Sequence, residues 1–185
     1  EPVAQRRSLA EQRGGHRGPQ RHRGADHGDH AGVDRRRGDR DEPVPADEDI
    51  HRWIAAALHG RATQEQVEVS VRLVESDEMA RLNETYRGKT GATNVLSFPA
   101  SLPEELAIPL LGDIVICAPV VRAEAARQGK TEKAHWAHMA VHGTLHLLGF
   151  DHVEEEEAAI MEALESTILS ELNYACPYDV NQPEH

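Results

Sequence analysis

Only two cysteines, Cys117 and Cys176, occur in the 185 residues. So few thiols exclude a disulfide framework and a four-thiolate metal site. Cys117 ends an apolar run and reads as a small buried hydrophobe, which suits a reducing cytosol. Long apolar runs are missing as well. No stretch approaches the ~20 residues needed to cross a bilayer, and none has the apolar core of a signal peptide. These absences describe a soluble, cytoplasmic protein with no membrane partner.

Large apolar residues are scarce at the start of the chain, where Val3, Leu9 and Val33 stand alone in the first forty. Residues 1–50 hold 10 Arg against 11 Asp and Glu, and seven of the 14 Gly. Residues 51–185 hold 10 Lys and Arg against 21 Asp and Glu, so nearly all of the net charge of −12 lies there. A run such as Arg35-Arg36-Arg37-Gly38 cannot build a packed core, so residues 1–46 are expected to be disordered. An Arg/Gly arm for RNA is the functional alternative, weakened by the interspersed acid. A misplaced start in a GC-rich gene would give the same composition. The expected domain then covers residues 47–176, with 177–185 as a tail.

Within that domain, Asp47-Glu48-Asp49 followed by Ile50, Trp53, Ile54, Ala57 and Leu58 predicts a helix with an acidic first turn, ended by Gly60. Val67, Val69, Val71 and Leu73 alternate with polar residues, the period of a half-buried strand. Ser76 is placed to cap a second helix running to about Tyr86. Gly88 and Gly91 bracket a turn before a short strand at 94–98, closed by Pro99. The run Leu111 to Cys117 is apolar enough to be a central strand. Helices follow over about 119–128, 132–148 and 154–173. Strands early and helices late predict an α+β domain, with about five helices packed on a mixed or mainly antiparallel sheet of about four strands.

One segment carries chemistry: His142-Gly143-Thr144-Leu145-His146-Leu147-Leu148-Gly149-Phe150-Asp151-His152. Residues i and i+4 of a helix lie about 6 Å apart along the axis and roughly 40° around it. Two imidazoles so placed reach one metal at ~2.0–2.1 Å per nitrogen. His138 would lie about 12 Å from His146, beyond sharing that ion. Gly149 instead stops the helix and lets His152 fold back as a third ligand. Three protein ligands leave a fourth position for water, which is the mark of a catalytic zinc. With 12 His and 14 Gly in the chain, three His and one Gly at these offsets arise by chance in roughly 0.004 of such sequences. Val141, Leu145 and Leu148 meanwhile form the core-facing stripe, so packing does not require the histidines.

The spacing also matches metzincin proteases, which need Glu beside the first His as general base. Here Gly143 occupies that position, so a metalloprotease-like hydrolase lacks its proton acceptor. Zinc alone lowers the pKa of water to ~7, which suits hydrolysis of a phosphodiester. The charge that develops then calls for a forked cation such as Arg.

His142-Gly143-x-Leu145-His146-Leu147-x-Gly149-x-Asp151-His152 resembles the signature of the YbeY family, bacterial endoribonucleases called rRNA maturation factors. Three further stretches agree: Leu82-Asn83 with Tyr86-Arg87-Gly88-Lys89, then Thr93 to Pro99, then Leu111 to Cys117. The likeness runs from about residue 50 to 174. It implies a zincin-like single domain, one zinc per chain on His142, His146 and His152, and cleavage of single-stranded rRNA. It also implies maturation of the 16S rRNA 3′ end and ribosome quality control on the small subunit, by a protein expected to be a monomer. Arg87 matches the family's functional arginine, with Lys89 beside it toward RNA; a solvated helix-end charge is the plainer reading of Arg87. Asp151 either orients a ligand imidazole or simply makes a turn. Glu154 to Glu157 read as a solvated first turn. Thr90-Gly91-Ala92 and Phe150 depart from the family pattern. Family members also open with a strand, yet residues 1–46 show nothing strand-like, so either a sheet edge is left unpaired or the amino terminus has been lost to a wrong frame. The acidic core leaves phosphate neutralisation to Arg81, Arg87, Lys89 and the zinc. A ribosome-assembly binding factor with a mainly structural zinc is the alternative.

Overall fold

The computed structural model describes residues 43–62, 67–101 and 109–178, together with the backbone of Gly32–Asp34. Among the described residues, five helices pack on four strands: β1 (Gly32–Asp34), α1 (Asp47–Leu58), β2 (Glu68–Val74), α2 (Ser76–Arg87), β3 (Val95–Pro99), β4 (Leu110–Cys117), α3 (Ala118–Gln128), α4 (Glu132–Leu147) and α5 (Glu155–Glu171). The sheet order is β1-β2-β4-β3. β1 runs parallel to β2, with Val33 opposite Val71, and β2 runs parallel to β4, with Val71 opposite Ile114. β3 is antiparallel to β4, with Ser97 opposite Ile114. The fold is α+β with a mixed sheet, as the order of elements predicted.

The packed region reaches beyond the expected boundaries at both ends. The expectation of no strand before residue 47 is corrected by Gly32–Asp34, which pairs with β2. A three-residue strand carries too little local pattern to announce itself, because its conformation is set by the neighbour that receives it. The expected disorder of 1–46 otherwise falls mostly outside the described residues. At the other end, Lys130 Nζ donates to the carbonyl of Pro177, and the hydroxyl of the exposed Tyr178 donates to Glu165, so residues 177 and 178 are not free tail.

Alternation in the strands sorts side chains onto two faces. Val69, Val71, Leu73, Val95, Ile114 and Ile116 meet α1, α4 and α5 in the main core. Leu96, Phe98, Val115 and Cys117 meet Met79, Leu82 and Tyr86 of α2 on the opposite face. Helix α4 lies between the sheet and its neighbouring helices and is buried on most sides, from Trp136 to Leu147. Thr131 caps it, its hydroxyl accepting from the amide of Ala134 at 3.2 Å.

Candidate metal centre

Helix α4 presents His138, His142 and His146 at successive turns. The helix closes where the sequence placed its stop. The amide of Phe150 donates to the carbonyl of Leu145 at 3.1 Å, and Gly149 takes a φ of 95° that other residues rarely adopt. This reversal turns the chain back, so the ring of His152 lies 5.0 Å from that of His146 and 5.6 Å from that of His142, centre to centre.

One nitrogen from each of His142, His146 and His152 lies within 4.8 Å of the others. The Nε2 atoms of His142 and His146 are 3.1 Å apart. Two ligands of a tetrahedral zinc at ~2.0–2.1 Å sit ~3.3 Å apart, so the pair is already close to that spacing. The donor set therefore fits a divalent ion such as zinc. His152 is the open side of the cluster, with 51% of its side chain exposed. Burial depresses the pKa of His146, and the neighbouring His142 and His152 lower it further, to about 4. At neutral pH that imidazole is unprotonated and offers a lone pair.

Glu165 of α5 sits behind the histidines, with none of its side chain exposed to solvent. Its Oε1 lies 2.5 Å from Nδ1 of His142 and its Oε2 lies 2.9 Å from Nε2 of His138. The hydroxyl of Tyr178 donates to the same Oε2. Burial pushes its carboxyl up, but hydrogen bonds from His138 and His142 outweigh burial and hold the pKa down to about 2. His138, His142 and Glu165 also group within ligand reach. Their contacts are those of hydrogen bonds, since 2.5 Å is shorter than two ligands of one ion allow. His138 thus stays off the triad, as helix geometry required. Asp151 approaches His152: its Oδ1 accepts from the His152 amide at 2.7 Å and lies 3.5 Å from Nδ1.

Gly143, where a metzincin carries its general base, faces the sheet. A Cβ there would lie 2.9 Å from Cγ2 of Ile114 and 3.3 Å from Cγ2 of Val95. Its carbonyl accepts from the hydroxyl of Ser97 at 2.9 Å. A protease base has neither a side chain nor room at this position.

Arg87 ends α2 and is exposed, as is Lys89. None of the hydrogen bonds made by the triad histidines among the described residues reaches either one. Gly88 caps α2 in the left-handed conformation at φ 64°, and the buried amide of Asn83 donates to the carbonyl of Gly91 at 2.9 Å. Asn83 thereby fixes the loop that carries Arg87 and Lys89, a function for the Leu82-Asn83 motif that spacing alone did not disclose. Glu165 was missed in the sequence. Its signal was an acidic residue on the stripe of Met161, Ile168 and Leu169, all buried.

Three imidazoles around one point, open on one side and backed by a buried carboxylate, could hold a metal ion in the manner of metal-dependent hydrolases. The family model for endoribonuclease YbeY matches residues 37–173. Endoribonuclease YbeY of Cellvibrio japonicus is 54% identical over 138 residues, which cover 75% of this chain and 77% of that protein. Endoribonuclease YbeY of Stutzerimonas stutzeri is 55% identical over 142 residues, covering 76% and 88%. A solution structure of a Thermotoga maritima protein aligns with 75% of this chain and 91% of its own, at 24% identity and a TM-score of 0.47. The chain belongs to the endoribonuclease YbeY family, a family of hydrolytic nucleases.

Proposed function

We propose that this protein is a zinc-dependent endoribonuclease that cuts single-stranded RNA, acting in 16S rRNA 3′ end maturation and ribosome quality control in the cytoplasm. The observation that carries this reading is the triad of His142, His146 and His152, whose nitrogens converge within 4.8 Å in a chain of this family. A zinc held there supplies Lewis-acid polarisation and acidifies water toward neutrality.

The chain's own residues provide the rest. His142 and His146 offer lone pairs from a rigid helix, and His152 completes the set from the turn. Asp151, whose Oδ1 holds the His152 amide and lies 3.5 Å from Nδ1, is placed to orient that ring when the metal is bound. Arg87 and Lys89 enter by motif match: from α2, on the sheet face opposite α4, Arg87 would offer a forked guanidinium to an RNA phosphate and Lys89 a point charge along the strand. The partners are single-stranded rRNA and the small ribosomal subunit, met by a monomer.

The acidic composition of residues 51–185 and the lack of a carboxylate at Gly143 favour the second reading, a ribosome-assembly factor with a structural zinc. The exposure of His152 weighs against it, because structural zinc sites are closed by four protein ligands. Arg87→Ala separates the two. For the nuclease, cleavage of a single-stranded RNA at saturating substrate falls by ~10²–10³ with zinc content unchanged, and Arg87→Lys rescues poorly. For a binding factor, ribosome association weakens in a salt-dependent way and Lys restores it. Equal cleavage by wild type and Arg87→Ala removes Arg87 from the mechanism.

A further inference from the structure

The triad accounts for three histidines but leaves a buried carboxylate, a fourth histidine and a tyrosine unexplained. Glu165 has no exposed side-chain surface, and a carboxylate taken out of water costs several kcal/mol unless its oxygens are satisfied. It lies on α5 among Met161, Ile168 and Leu169, where an apolar residue would pack without that cost. Its position is therefore informative about what it touches.

Three donors converge on its two oxygens. His138 Nε2, at 2.9 Å, and the Tyr178 hydroxyl both take Oε2. Among the described residues, Oε1 is left to Nδ1 of His142, at 2.5 Å. A neutral imidazole has one N–H. If that proton is committed to Glu165, Nε2 of His142 is bare, and it is this atom that lies 3.1 Å from Nε2 of His146. That contact fixes the ring rotation of His142 and, where Nδ1 donates, turns the Nε2 lone pair toward His146. The carboxylate would also place a negative charge one imidazole away from a cation held by the triad.

We propose that Glu165 is a positioning residue for the metal centre, holding His142 as an Nε2 ligand, with His138 and Tyr178 holding Glu165. This inference rests on the triad binding a metal. It assigns the dominant orienting carboxylate to the buried Glu165 rather than to the half-exposed Asp151, and it gives residue 178 a function at the site.

Two measurements test it. In the metal-free wild-type protein, imidazole ¹⁵N shifts should show His142 protonated at Nδ1 and bare at Nε2. In chelator competition with zinc alone, Glu165→Gln should bind about 10–100-fold more weakly than wild type. Tyr178→Phe, which removes one donor from the far oxygen, should weaken binding less. A carboxylate that only pins α5 to α4 predicts otherwise: Glu165→Gln would lower the melting temperature of the metal-free protein and leave zinc affinity unchanged. That result overturns the proposal, as does an Nε2-protonated His142 in the wild type, a reading that stands even if the variant does not fold. Wild type that takes up no zinc defeats the metal centre itself, a separate failure.

Discussion

At Gly143 two demands meet in one residue. The helix must bring His142 and His146 to the site, and it must also lie close enough to β3 and β4 for Ser97 to reach its backbone carbonyl. A methyl group at 143 would gain about 1 kcal/mol of helix propensity over glycine. It would also stand 2.9 Å from Ile114, a fully buried residue of the strand paired on both sides, which has nowhere to move. Overpacking of this kind costs ~1–3 kcal/mol, so the steric term wins. Gly143→Ala should melt a few degrees below wild type in calorimetry, at roughly 2–4 °C per kcal/mol for a chain of this size. A variant as stable as wild type would show that α4 sits farther from the sheet. The same closeness explains why the general base of a metzincin is missing here.

Among the elements, α4 is tied to its neighbours by a polar cluster distinct from the metal centre. His135, with 2% of its side chain exposed, places Nε2 2.8 Å from Oε2 of Glu124 on α3. Asn94, just before β3, donates to the same carboxylate at 3.1 Å, while its own carbonyl accepts from the amide of Cys117 at 2.8 Å. Burial lowers the pKa of His135, and although Glu124 pulls it back up, the net shift is downward. The unfolded chain therefore binds this proton near pH 6.5 while the folded chain still resists it. The contribution to stability is complete above that value and is lost as the pH falls from it through the lower value of the folded chain. In the metal-free protein, urea midpoints between pH 7.5 and 5.5 should fall more for wild type than for His135→Gln, which keeps a donor toward Glu124. Parallel decline in both proteins would place the acid sensitivity elsewhere.

Over the whole molecule, local signals were legible and long-range ones were not. The helix carrying the histidines, its glycine stop and the return of His152 all lie within eleven consecutive residues, so spacing alone brought them together. The apolar run of β4 declared a central strand, and β4 is paired on both sides. Glu165 stands 23 residues from His142, and no period in either segment links them. Tyr178 is farther still, beyond the expected end of the domain. β1 owes its conformation to β2 and shows only a lone Val33 in the sequence. Arg87 was matched by motif. Its helix, α2, covers the sheet face opposite α4, and only the fold could reveal that.

The proposed nuclease requires that His142, His146 and His152 hold one zinc needed for RNA hydrolysis. Metal content and cleavage of a single-stranded RNA, measured together on wild type and His146→Ala, test it most directly. About one zinc per chain and cleavage are expected in the wild type, with both lost in His146→Ala while the fold persists, because two remaining ligands bind too weakly. Wild type that is metal-free and takes up none, or His146→Ala that cleaves as well as wild type, would contradict it.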